Sequence, residues 1–130
     1  MNDPVYVDTN VFMDFFLNRD SSAYLFFEKA FSCKYKIIIS DAVIREFCNY
    51  CKRSELENFI CIARAMDKIE VIVSTKEDHI EANALRHITH YADALHKVLA
   101  KRRNVVYFVT KNVKDFREFR DIVIKTPDEL

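Results

Sequence analysis

The chain contains no glycine in its 130 residues. Average usage of about 7% would supply roughly nine, so the backbone lacks the residue that takes φ > 0 without a steric penalty. A phosphate-cradling P-loop, a dinucleotide-binding Gly-rich turn, a nucleophile elbow and an EF-hand calcium loop are excluded. Each needs glycine for a tight turn or for close approach of backbone to ligand. Any phosphate chemistry must therefore run through side chains or a metal. Helix ends also lose their usual left-handed residue, and Asn18 and Asn104 are the expected substitutes.

A chain of this length fits one domain, 1–130, around a single core, and eleven Phe and six Tyr supply ample apolar surface. Residues 5–7 form a short apolar run ending at Asp8. Val11, Phe12, Phe15, Phe16 and Leu17 then recur at helical spacing, so the opening reads as strand, polar turn, helix. Further helices are expected at about 21–32, 43–51, 54–66, 76–88 and 91–102, and strands at 35–40, 69–73, 105–109 and 121–125. A short helical turn is expected at 113–119 and a terminal cap at 126–129. Ser54, with Glu57 three residues on, reads as a capping box. The alternation argues for an α/β three-layer sandwich with a central parallel sheet of four to five strands. Continuous apolar runs such as IIIS and VVYFV suit strands covered on both faces.

In an open parallel sheet the ligand site lies beyond the carboxyl ends of the strands. Here the first strand ends in Asp8-Thr9-Asn10, the second in Ser40-Asp41, and the fourth in Thr110-Lys111-Asn112, with Asp115 following. Glu46 falls beside the apolar stripe of the helix after the second strand. Asp93 stands near the start of the apolar segment YADALHKVLA, where a carboxylate is costly to bury unless paired or bound to a cation. Converging carboxylates repel one another, and a divalent metal is the simplest neutraliser. Oxygen donors select hard cations such as Mg²⁺ or Mn²⁺, and such ions can activate a water and stabilise the leaving oxygen in phosphodiester hydrolysis. Asp8 and Asp93 are the expected principal ligands, with Glu46 as ligand or water-orienting base and Asp115 as a secondary ligand through water. Thr9, Asn10, Thr110 and Asn112 would orient these groups.

Each residue also has a plain structural reading. Asp8, Thr9 or Asn10 can cap the first helix, Glu46 can be a solvated face residue, Asp93 a first-turn acid favoured by the helix dipole, and Lys114-Asp115 an exposed helix start. Asp14 reads as a solvated helix residue and Asp41 as a helix N-cap. The 20 basic and 20 acidic residues give zero net charge, so a polyanion must be met by local patches. No apolar stretch approaches the roughly 20 residues of a membrane span, and MNDPVYVDTN lacks a signal peptide's basic and apolar regions. A soluble, cytoplasmic protein with no membrane partner is expected. Of Cys33, Cys48, Cys51 and Cys61, only Cys48 and Cys51 form a CxxC pair, so reduced thiols filling core space are expected rather than a zinc site. His79, His87, His90 and His96 form no HExxH motif.

The segments VYVDTNVFMDFF, SDAVIREF, YADALHKVLAKRRNVVYFVTKNVKDF and IKTPDEL, in this order, resemble the PIN domain. This family of metal-dependent ribonucleases includes the VapC-like toxins of prokaryotic toxin–antitoxin pairs. The resemblance covers essentially the whole chain and implies an endoribonuclease using Mg²⁺ or Mn²⁺. It implies that Asp8, Glu46 and Asp93 are the first three active-site acids and that Thr110 or Asn10 helps hold the site. The family's fourth acid often sits two residues after the strand-end Thr, where this chain has Asn112; Asp115 is the candidate replacement. Lys111, Lys114, Arg102 and Arg103 would then contact the RNA backbone. A toxin would bring a small antitoxin wrapping the aromatic helices, and a homodimer.

Two other classes stay open. A PIN-like RNA- or protein-binding module with weak or no catalysis is favoured by Asn112. A phosphate-accepting receiver-like or phosphatase domain would also gather acids at a sheet edge, but helix-borne Glu46 and Asp93 are hard to place in it.

Overall fold

Short runs rich in Val, Ile, Tyr and Phe assemble the sheet: β1 (Asp3–Val7), β2 (Tyr35–Ser40), β3 (Ile69–Ile72), β4 (Tyr107–Val109) and β5 (Ile124–Lys125). The structure is a computed structural model that describes residues 2–116 and 118–130, and every side chain among them except that of Cys33. All strand pairs are parallel, in the order β3-β2-β1-β4-β5. Val5 lies between Ile37 of β2 and Tyr107 of β4. Residues Val5, Tyr6, Val7, Ile37, Ile38 and Ile39 have no exposed surface, as strands covered on both faces require.

The helices are α1 (Thr9–Phe16), α2 (Ser21–Lys29), α3 (Asp41–Phe47), α4 (Arg53–Ala65), α5 (Lys76–Ala84) and α6 (Tyr91–Arg103). A π-helical turn (Ala30–Lys34) joins α2 to β2, and short 3₁₀ turns form at Val113–Phe116 and Pro127–Glu129. The connections step outward from β1 to β2 to β3, and α5 and α6 then carry the chain back to β4 on the other side of β1. With right-handed crossovers, the aromatic helices α1, α2 and α4 cover one face and α5 and α6 the other. Phe59 of α4 is the hub of the first layer. Its ring packs at 5.4 to 6.1 Å against Phe12, Phe15, Phe16, Phe27 and Phe31. The strand order reverses between β1 and β4, so their carboxyl ends, which lead into Asp8 and Thr110, border the crevice where open α/β sheets bind ligands.

Several boundaries differ from the sequence expectation for local reasons. β4 starts at Tyr107 rather than 105, because α6 runs to Arg103 and Asn104 then turns left-handed with φ 59. Asn18 does the same at φ 53, and Asp67 is a third such position at φ 57; short polar side chains thus replace glycine. The Ser54–Glu57 capping box does not form. α4 begins one residue earlier, after Lys52, which makes no side-chain cap bond, and Glu57 instead accepts from Arg53 Nε at 2.6 Å. α5 stops at Ala84, and β5 is only the pair Ile124–Lys125. Half-buried Cys51 packs against the core, whereas Cys48 is half-buried outside it and Cys61 is exposed, so core filling describes one of the three; Cys33 lies outside the described side chains. No described helix is long and apolar enough to cross a membrane.

Replacing the hub tests this packing. Phe59→Ala removes one ring from five contacts and is expected to lower unfolding free energy by about 2–3 kcal/mol in urea titrations. A loss below about 0.5 kcal/mol, the level of an ordinary surface substitution, would show that the aromatic layer is not a packed core.

Candidate functional site

Asp8 is fixed by both central strands. It follows β1 directly, and its N–H donates to Val109 O of β4 at 2.9 Å. The side chain then collects donors from both sides. Oδ1 accepts from the Thr9 N–H at 2.8 Å, which also makes Asp8 the N-cap of α1. Oδ2 accepts from Thr110 Oγ1 at 2.9 Å and Asn10 Nδ2 at 3.3 Å. The same Thr110 hydroxyl oxygen accepts from Asn10 Nδ2 at 3.3 Å and from the Asn112 N–H at 3.1 Å, and the Lys111 N–H donates to Asn10 Oδ1 at 3.3 Å. Thr9, Asn10, Thr110 and the Asn112 backbone therefore brace the acid. The capping role and the bracing are parts of one arrangement.

Glu46 arrives from α3. Ser40, the last residue of β2, caps this helix by accepting from the Val43 N–H at 3.2 Å. Asp41 is thus not the N-cap expected from sequence; it accepts from the Ser74 N–H at 2.9 Å and hydroxyl at 2.7 Å, tying α3 to the end of β3. One turn later Glu46 Oε1 accepts from Thr9 Oγ1 at 2.5 Å and from His96 Nε2 at 2.7 Å. His96 is 2% exposed, and its Nδ1 lies 2.7 Å from the Tyr6 hydroxyl, itself 2.7 Å from Ser40 Oγ. An oxygen of Asp8, an oxygen of Glu46 and a nitrogen of His96 all lie within 4.8 Å of one another. That donor set, converging from β1, α3 and α6, fits a divalent cation.

Asp93 sits one turn before His96 on α6, on the same helix face. Burial, reinforced by the negative charges of Asp115 and Asp8, pushes its carboxyl up to about 6 against the opposing pull of His96 and His90. Burial also raises Asp8, with His96 and the donors from Thr110 and Thr9 working against it. For Glu46 burial acts upward, but the His96 hydrogen bond and charge, helped by Thr9, hold it below the usual glutamate value. His96 is the complement: burial acts downward, and the bond to Glu46 with the charges of Asp8, Glu46 and Asp93 raises it. An electrostatic demand for positive charge is therefore built into the end of the sheet.

Asp115 lies on the 3₁₀ turn after β4, exposed, with its N–H donating to Asn112 O at 3.0 Å. Its charge reaches Asp93. Lys114 beside it is exposed and borders an open depression of about 390 Å³ shared with Arg86, His87, His90 and Asp115. The other basic candidates are engaged elsewhere. Lys111 meets Asp14 at 2.7 Å and Asp20 at 3.6 Å. Asp14, read from sequence as solvated, is 2% exposed and also bonded by Arg19 at 3.0 Å; a buried carboxylate needs such partners. Arg102 donates to Asp78 at 3.0 and 3.1 Å and to Val73 O at 3.0 Å, and Arg103 to Glu70 at 2.7 and 3.0 Å. Both lie about 14 Å along α6 from Asp93, at about 1.5 Å per residue. The structure thus brings together Asp8, Thr9, Asn10, Glu46, Thr110 and Asn112, sets Asp93 and Asp115 within electrostatic reach, places Lys114 beside Asp115, and leaves Arg102 and Arg103 apart from them.

Sequence reasoning missed His96 and Tyr6. His96 carried a usable signal, since it stands three residues after Asp93 inside the apolar stripe of Ala94, Leu95, Val98 and Leu99 and is as awkward to bury as the acid. Tyr6, inside VYV, carried none.

The profile of the PIN domain family matches residues 5–122. The chain belongs to the PIN domain family. No curated protein sequence matches it, but solved structures do. A toxin–antitoxin complex from Klebsiella pneumoniae contains a chain with TM-score 0.70 and 22% identity, covering 95% of this chain and 97% of that one. VapBC2 from Rickettsia felis, bound to a DNA fragment from its promoter, gives TM-score 0.69 at 19% identity over 95% and 98% of the two chains. VapBC-1 from nontypeable Haemophilus influenzae gives 0.63 at 16% over 95% and 98%. Identities of this size speak to the fold, and they place the whole described α/β architecture in the PIN class.

The raised Asp93 carboxyl has a measurable sign. Its folded value of about 6 lies above the ordinary aspartate value, so the folded PIN domain binds this proton more tightly and loses stability as pH rises from about 4 through about 6. In metal-free protein, Asp93→Asn is expected to melt higher than wild type at about pH 7.5, with the gap shrinking toward about pH 5. A variant that melts lower at neutral pH would contradict the repulsion.

Proposed function

We propose that this PIN domain is a Mg²⁺- or Mn²⁺-dependent endoribonuclease, the VapC-like toxin of a toxin–antitoxin pair. The observation that carries this reading is the convergence of Asp8, Glu46 and His96 donors within 4.8 Å at the carboxyl end of the central strands, with Asp93 and Asp115 close enough to repel one another. Asp8, Glu46 and Asp93 would hold the cation, and Asp115 would serve through water where Asn112 leaves the fourth carboxylate out. A bound ion supplies Lewis-acid polarisation of the phosphoryl oxygen and activation of water.

The chain's own residues do the rest. Thr9, Asn10 and Thr110 keep the carboxylate oxygens in fixed directions, so little reorganisation is needed when substrate arrives. Lys114, free of ion pairs among the described residues and beside Arg86, is placed to meet backbone phosphates of the RNA. Lys111 acts at one remove by tying the Thr110–Asn112 loop to Asp14 of α1. Arg102 and Arg103, engaged with Asp78 and Glu70, would reach RNA only outside the central crevice. The solved toxin–antitoxin complexes support an antitoxin partner, and exposed Tyr24, Leu25, Ile62 and Met66 on α2 and at the end of α4 offer apolar surface for it. A cytoplasmic location and a homodimer belong to the same reading. A binding module without catalysis is the second reading; it is favoured by Asn112 and by the His96–Glu46 bond, which satisfies part of the charge demand without an ion.

Purified protein is expected to cleave single-stranded RNA with Mn²⁺ or Mg²⁺, to stop on EDTA, and to lose about 100-fold or more of its rate in Asp8→Asn or Asp93→Asn. Cleavage by the double variant at the wild-type rate would assign the activity elsewhere. Tight metal-dependent RNA binding without cleavage would select the second reading.

A further inference from the structure

His96 brings the one nitrogen into the cluster of Asp8 and Glu46 oxygens. The ring is 2% exposed, and a buried hydrogen-bonded chain runs from its Nδ1 through the Tyr6 hydroxyl to Ser40 Oγ, each step 2.7 Å, ending at the Val43 N–H of α3 at 3.2 Å. This chain fixes the plane of the imidazole. The opposite nitrogen, Nε2, is thereby aimed between the two carboxylates, 2.7 Å from Glu46 Oε1 and 3.8 Å from Asp8 Oδ1. Nε2 therefore faces both acids at the point where a shared cation would sit.

Two general rules bear on that geometry. Metal-bound histidines hold their second ring nitrogen in a hydrogen bond that sets tautomer and orientation, and the Tyr6 hydroxyl stands in that place. A carboxylate and a histidine three residues apart share one helix face, the spacing by which helices of di-iron and di-manganese carboxylate proteins present an oxygen and a nitrogen to one ion. Asp93 and His96 have this spacing on α6.

We propose that His96 Nε2 is a direct ligand of the cation held by Asp8 and Glu46, which makes the centre a mixed carboxylate–imidazole site selective for Mn²⁺ over Mg²⁺. The inference rests on the metal dependence proposed above and adds the donor that sets metal choice. Mg²⁺ favours oxygen donors and keeps its waters, whereas imidazole suits transition ions. Bound to the ion, Nε2 would be unprotonated and the ring's remaining proton would sit on Nδ1. Nδ1–H then donates to the Tyr6 oxygen, and Tyr6 in turn to Ser40 Oγ. The four acids expected from the sequence thus gain one nitrogen donor.

Pulsed electron paramagnetic resonance on the full chain with one equivalent of Mn²⁺ tests this directly. Wild-type protein is expected to show nitrogen modulation of the Mn²⁺ signal, and biosynthetic 15N-histidine should shift it. His96→Gln should abolish the modulation while Mn²⁺ stays bound, and its preference for Mn²⁺ over Mg²⁺ should fall by about tenfold or more. His90→Gln and His79→Gln should leave the modulation unchanged. The labelled wild-type sample gives the answer even if His96→Gln does not fold. Mn²⁺ bound in an Asp8-dependent manner without histidine coupling, or coupling that disappears with His90, would overturn the proposal and leave metal dependence standing. Mn²⁺ affinity unaffected by Asp8→Asn would overturn both.

Discussion

Carboxylates held at one edge of a sheet repel each other, and the end of this molecule is organised around containing that repulsion. Asp8 leaves β1 into a crevice that β4, α3 and α6 close. It survives burial because the Thr9 N–H, the Thr110 hydroxyl and Asn10 all donate to it. Glu46 is held below its ordinary value by His96, whereas for Asp93 burial with the charges of Asp115 and Asp8 outweighs the pull of His96 and His90 and drives it up to about 6. The three acids therefore differ in protonation tendency through burial and the neighbours that oppose or reinforce it. A fold built purely for stability would remove one of them; keeping all of them costs stability that binding of a cation can return.

Freedom from glycine sharpens the same point. Left-handed positions at helix ends are taken by Asn18, Asp67 and Asn104. The site is held by side chains and by single backbone N–H groups such as those of Thr9 and Asn112. Hydroxyls and amides of Thr9, Asn10 and Thr110 do the orienting, and the Tyr6–His96–Glu46 chain reaches across from the sheet interior to α3. Because β1, α3 and α6 each contribute donor atoms, the site forms only when the strand order and both crossovers are correct.

Much of the fold was legible because its signals are local and redundant. Apolar runs such as YKIIIS and VVYFV end in polar residues, and the helices between them have wide apolar faces. The acids could be read as a cluster since Asp8 and Thr110 sit at strand ends and Asp93 interrupts an apolar helix. What stayed hidden depends on distant partners. Asp14 looks like a solvated helix residue until Lys111 and Arg19 close on it. Arg102 and Arg103 look free until Asp78 and Glu70 are seen across 24 and 33 residues of chain. Ser54 and Glu57 have the spacing of a capping box, but Arg53 competes for the same carboxylate from one turn away. His96 escapes any pattern of paired histidines because its partner is an acid on another helix, 50 residues away in the chain.

Anomalous scattering from a crystal grown with Mn²⁺ tests the central claim most directly. The expected result is a peak bounded by the Asp8 and Glu46 carboxylates, with the His96–Glu46 hydrogen bond opened and Asp93 turned toward the ion. A crystal in saturating Mn²⁺ with no peak there, and with the 2.7 Å His96–Glu46 bond intact, would show that the acids are neutralised from within and that no cation is needed.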